Sequence, residues 1–151
     1  MAPFTIVRST HIDAPPARVH ALVNDFRAWQ QWSPWEGLDA ELRRTYSAAA
    51  SGVGAHYAWS GNRKAGEGSM EITGSTPERV DVALTFTKPW KARNHVSLSL
   101  TAAGGGTDVA WTMTGDNKGL AAVFARLFNM DAMLGKDFEK GLAQLKAAAE
   151  A

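Results

Sequence analysis

The residues able to do chemistry are scattered along this chain. Four histidines, His11, His20, His56 and His95, fall on different stretches with no short spacing between any two. Zinc needs three or four converging ligands, and there is no cysteine to complete such a set, so no metal site is expected. The lack of cysteine also removes disulfides and thiol catalysis and suits a reducing cytosol. Serines and aspartates are frequent, yet no nucleophile-elbow motif singles one out. Gly66-Glu67-Gly68 and Gly104-Gly105-Gly106 lack the strand-to-helix setting of a phosphate loop. If the chain does chemistry on a bound molecule, the candidates are polar residues that share the parity of apolar neighbours. Arg8, which alternates with Ile6, leads this group with Tyr57 and Asn94, and Lys88 has the same parity near a strand end. A general acid or base needs a tuned pKa beside the reacting proton, and a sequence displays neither. No catalytic constellation emerges and no cofactor is implied.

The elements that must position these residues are clearer. From Lys118 to Ala151, apolar residues recur at helical spacing: Leu120, Phe124 and Leu127, then Leu134, Phe138, Leu142 and Leu145. Asp131 interrupts the stripe, and Asx residues favour helix starts, so a short helix followed by a long one is predicted. From Asp131 to Glu150 the long helix spans about 30 Å. Such a stripe needs a sheet to lie on. Phe4 to Ile12 reads as a strand. Pro15-Pro16 then opens a helix carrying Val19, Leu22, Val23 and Phe26, with a second short helix from Phe26 to Gln31. After Glu41 the period falls to two. Strands are predicted over 41–47, 55–60, 67–73, 79–87, 95–101 and 107–114, the fourth having Val80, Val82, Leu84 and Phe86 on one face. The glycines at 104–106 make a hairpin turn. Short connections imply antiparallel neighbours. The reading is one α+β domain over residues 1–151, with an antiparallel sheet covered by the long helix.

Composition bounds the rest. The formal net charge of +1 argues against a nucleic-acid partner, and 21% charged with 45% hydrophobic residues is globular. No apolar run is long enough to span a bilayer and no signal peptide is evident, so a cytoplasmic protein without stable membrane insertion is expected. Six tryptophans and six phenylalanines need burial or a use.

Inward parity gathers Tyr57, Trp59, Met70, Ile72, Leu84, Phe86, Leu98, Trp111 and Met113. Packed cores use such residues, and so do mostly apolar ligand pockets with a few polar groups. Phe124, Phe128, Met130 and Met133 fall where the short helix meets the long one, and packing between helices and a ligand role stay equally open for them. Trp29, Trp32 and Trp35 are spaced by three, which would gather them on one side and staple the first helices to the sheet. Trp90 lies in the loop Lys88-Pro89-Trp90-Lys91. The small residues Ala55 and Gly68 share the inward parity, so larger side chains there are expected to fill a cavity without loss of the fold.

Three stretches resemble one superfamily. Ile12-Asp13-Ala14-Pro15-Pro16 leading to Val19, Phe26 through Trp35, and Gly135 through Lys146 are similar to the START-like or Bet v 1-like helix-grip proteins. The nearest branch is the bacterial polyketide cyclase/dehydrase and lipid-transport one. The resemblance implies a curved antiparallel sheet wrapped around the long C-terminal helix, in the order β-α-α-β6-α, enclosing an apolar cavity open at one end. It also implies a small apolar or amphipathic partner, lipid- or polyketide-like, and places Phe124, Phe128 and Met133 near the cavity mouth. Residues expected to line the cavity are Trp35, Tyr57, Trp59, Met70, Ile72 and Phe86, with Trp90, Asn94, Trp111, Met113, Phe124, Phe128 and Met133. Carriage of that ligand by a monomer or weak homodimer is the expected function. The alternatives are a polyketide-type aromatase/cyclase or dehydratase using the same pocket, and a module that binds another protein.

Overall fold

The structure, a computed structural model, describes residues 2–34, 42–47, 49, 51–61, 66–88, 92–117 and 130–151, with backbone alone at 2–4, 92, 116–117 and 130–134. Among these, strand β1 (Ala2–Ile12) is followed by helix α1 (Pro16–Val23) and a 3₁₀ turn (Ala28–Gln31). Next come β2 (Arg43–Tyr46), β3 (His56–Ser60), β4 (Glu67–Thr76), β5 (Arg79–Lys88), β6 (Ala92–Ala103) and β7 (Gly106–Asn117). The long helix α2 (Met130–Glu150) closes the order. The strands form one open antiparallel sheet in the order β1-β7-β6-β5-β4-β3-β2. This is the α+β arrangement expected from the periodicity, and it is the helix-grip arrangement that the resemblance implies. The predicted short helix around residues 118–129 and the turn at 62–65 lie outside the described residues.

Local chemistry explains the element ends. Pro15 sits in extended backbone and Pro16 opens α1, where a missing N–H costs nothing. Two indoles serve the last carbonyls of α1. Trp29 Nε1 donates to the Val23 carbonyl at 2.8 Å, and Trp32 Nε1 to that of Leu22 at 2.9 Å. Helix-end carbonyls need such donors. Between β6 and β7, Ala103 pairs with Gly106. That leaves Gly104 and Gly105 as turn residues with φ of 55° and 82°, the two-residue hairpin geometry that glycine adopts cheaply.

The helix α2 buries Phe138, Leu142, Leu145 and Ala149 along one face. Its close approach needs glycine. A Cβ at Gly141 would stand 2.7 Å from the Trp111 ring and 2.8 Å from Pro34, and one at Gly135 would stand 2.1 Å from Nη2 of Arg8. A polar flank of α2 follows β1. Arg8 pairs with Glu139 at 3.3 Å, Lys146 Nζ donates to the His11 carbonyl at 3.0 Å, and the Asp13 N–H donates to the Glu150 carboxylate at 2.8 Å. Helix and strand numbers rise together, so α2 runs in the direction of β1. The end of α2 is capped from α1, because the Arg18 guanidinium donates to the carbonyls of Ala148, Ala149 and Ala151. A cation there also opposes the helix dipole.

Candidate functional site

Directly paired residues on neighbouring strands share a face of the sheet, so the register sorts the inward side chains into rows. The deepest row runs Ser75, Val80, Leu98, Trp111, Arg8, and the next runs Ile72, Val82, Val96, Met113, Ile6. The third runs Tyr46, Tyr57, Met70, Leu84, Asn94, and the last Arg44, Trp59, Gly68, Phe86. Burial changes along these rows. The apolar residues of the first two are buried, whereas Met70, Trp59 and Phe86 are only half-buried although they point the same way. These partly accessible apolar side chains pack against the core and gather at one end of the sheet.

The closed end is aromatic packing. Trp111 stacks on Phe138 and meets Trp32 edge-on at 5.5 Å and Trp29 at 6.3 Å. The half-buried end is aromatic as well. Tyr57 lies 5.0 Å from Tyr46 and 6.0 Å from Trp59, and Trp59 meets Phe86 edge-on at 5.8 Å. Tyr46 is fixed from outside the row. The Arg27 guanidinium stands 4.3 Å over its ring, and Gln30 Nε2 donates to its hydroxyl.

The predicted site residues divide accordingly. Tyr57, Trp59, Met70, Phe86 and Asn94 fall together in the last two rows. Ile72, Trp111 and Met113 are buried in the first two rows, and Trp111 packs against Phe138 of α2 and against Trp29 and Trp32. Trp35, Trp90, Phe124, Phe128 and the side chains of Met130 and Met133 lie outside the described residues. Trp29 and Trp32 staple the first helical segments to the core as expected. The three polar suspects are not brought together. Tyr57 and Asn94 stand three strand spacings apart, about 14 Å, and Arg8 is on the far edge strand. Lys88 is exposed and leaves the inward parity. The register slips between Glu67 and Gly68, so Lys88 pairs with Glu67 while Phe86 pairs with Gly68, and Thr87 is the extra residue. Gly68 offers no empty space either. A Cβ there would stand 2.3 Å from the Thr85 carbonyl and 2.8 Å from the Trp59 ring.

Two residues missed by the periodicity complete the picture. Tyr46 extends the third row, and its strand carried a weak pattern. Gly135 makes room for Arg8, and an isolated glycine inside a helical stripe is a signal of close packing that could have found it. The displaced pKa values lie elsewhere, at the seam between β1 and α2. His11 Nδ1 is 2.7 Å from Asp108 and Nε2 is 3.1 Å from Asp13. The hydrogen bond to Asp108, helped by both negative charges, raises its pKa. The mutual hydrogen bond of Lys146 and Glu150 raises the first and lowers the second. Among the described residues no cluster of three or more His, Cys, Asp or Glu could hold a metal ion, and no helix is long and apolar enough to cross a membrane.

The family model described as polyketide cyclase / dehydrase and lipid transport matches residues 3–150. No curated protein matches the chain. Solved structures share the architecture. The Aha1 dimer from Colwellia psychrerythraea is 19% identical with a TM-score of 0.68, over 97% of this chain and 96% of that one. Ara h 8.0201 is 14% identical with a TM-score of 0.68, over 98% of each chain. DynU16, from the dynemicin biosynthetic locus, is 17% identical with a TM-score of 0.67, and the match covers 97% of this chain and 47% of that one. Likeness at this identity establishes the Bet v 1-like helix-grip fold. With the family model matched across nearly its whole length, the chain belongs to the polyketide cyclase/dehydrase and lipid transport family.

Proposed function

We propose that this chain, as a single domain, binds and carries one small apolar or amphipathic molecule between the sheet and α2. The carrying observation is the burial gradient. Met70, Trp59 and Phe86 face inward in register with buried residues yet keep partial access. Leaving large apolar groups half-covered forgoes part of the about 1.5–3 kcal/mol of transfer free energy that full burial of each would give. A ligand entering that space would recover it. The lining combines flat aromatic rings with an adaptable methionine and one amide, Asn94, which is how small-molecule pockets are composed. Lipid transport is part of the family's description, and one similar structure comes from a biosynthetic locus. Catalysis is the weaker reading because Tyr57, Asn94 and Arg8 are too far apart to act on one atom. Native mass spectrometry of protein from its own host tests carriage. The expected result is a stoichiometric small molecule that is lost on denaturation. A bare chain, both as purified and after incubation with an apolar extract, would refute it.

A further inference from the structure

Asn94 breaks the apolar inward face of β6. Val96, Leu98 and Leu100 share its parity and are buried, whereas Asn94 is half-buried. It does not end the strand, because the pairing of β5 with β6 runs on past it to Phe86 and Ala92. Its neighbour on β5 is the buried Leu84, and its neighbour on β7 is Gly115, which puts no side chain into the row. Among the described residues the Asn94 side-chain amide makes no hydrogen bond. An amide held on an apolar face without a partner costs free energy that a hydrogen-bonding ligand would return.

We infer that Asn94 is the polar anchor of the carried molecule, and that the molecule presents a neutral hydroxyl or carbonyl to it. This rests on the carriage reading and names the chemistry of its ligand. A side-chain amide offers N–H donors and a carbonyl acceptor together, so it can serve a hydroxyl or a ketone. It carries no charge to set against that of an ion. An ionised group moved onto this face would lose hydration that a neutral amide does not replace. The register also says where the apolar body goes. Met70 on β4 lies in the same row, two strand spacings from Asn94 on β6, or about 10 Å. A fused-ring body reaches from the amide to the methionine.

Fluorescence titration with naphthol, methylnaphthalene and naphthoate, each substituted at the same ring position, tests the anchor. Hydroxyl and methyl are close in size, so a change in the ratio of their affinities between wild type and variant isolates the hydrogen bond. Asn94→Leu should lower the naphthol-to-methylnaphthalene ratio by about tenfold, the worth of one well-made hydrogen bond. Met70→Leu, in the same row, should leave that ratio unchanged. Naphthoate should bind wild type more weakly than naphthol. Asn94→Leu should also keep the urea midpoint of wild type or raise it, and a lowered midpoint would mark the amide as structural and overturn the anchor. One reading needs no variant: exchange of the Asn94 side-chain amide protons in wild type should slow with naphthol and not with methylnaphthalene. No slowing, an unchanged ratio in Asn94→Leu, an equal fall in Met70→Leu, or tighter binding of naphthoate than of naphthol would overturn the anchor and leave carriage standing. Failure of all three compounds to bind would overturn carriage and the anchor together.

Discussion

Phe138 of α2 lies flat on Trp111 of β7, with ring centroids 4.3 Å apart and planes 6° from parallel. This contact fixes the helix to β7, the strand next to the β1 edge, and both side chains are buried. Truncating Phe138 to alanine should destabilise the fold by about 3–5 kcal/mol, the range for large aromatic deletions in a core. Urea denaturation measures it, and a loss under about 1 kcal/mol would mean that α2 is held elsewhere.

Gly141 sets two effects against each other. Alanine is the better helix former by about 1 kcal/mol. Its Cβ would meet the Trp111 ring at 2.7 Å and Pro34 at 2.8 Å, neither of them a flexible end. Overpacking costs about 1–3 kcal/mol, so Gly141→Ala should lower the urea midpoint despite the propensity gain. A raised midpoint would contradict the close approach.

Arg18 ties the two helices by donating to carbonyls at the end of α2. Replacement by methionine keeps most of the apolar stem and removes the donors. The expected loss is about 1 kcal/mol, from the cap and the dipole term. Hydrogen exchange of the last turn should quicken, and unchanged exchange rates there would refute the cap.

The His11 cluster predicts a pH dependence with a definite sign. Asp108 raises the histidine pKa above its ordinary value of about 6.5. A raised folded value means that the charged form stabilises the fold. That contribution is complete below the ordinary value and is lost as pH rises through the raised one. Asp108→Asn should therefore lower the melting temperature more at about pH 5.5 than at about pH 8.5. An equal effect at both would show that the imidazolium is not held by Asp108. The effect should be small, because the side chains are well exposed.

The sheet was readable because one-sided burial pins register. A slip of one residue would turn Val80, Val82 and Leu84 to water, so their alternation states which way they face. The glycine pair at 104–105 was equally plain. Lys88 was misread because a bulge at Thr87 reverses parity and leaves no compositional mark. Gly68 looked like empty space, but the indole of Trp59, on the neighbouring strand, lies over it. Ala55 is buried in the core, so neither small residue is a place to fill. Trp111 and Trp59 have the same inward parity in the sequence. Only the position of α2 makes one core and the other half-covered. The pairing of Arg8 with Glu139 joins residues at opposite ends of the chain, which no local pattern reveals.

The central claim is that the half-buried end of the inward face borders ligand space, and filling that space tests it. Met70 sits between Tyr57 and Leu84 in the third row and is the residue to enlarge. An apolar fluorescent probe should titrate the wild type at one site. Met70→Trp should weaken the probe by about tenfold or more, equivalent to about 1.4 kcal/mol, with a change in unfolding free energy under about 1 kcal/mol. Probe affinity left unchanged while stability falls by the roughly 1–3 kcal/mol of an overpacked core would contradict the account.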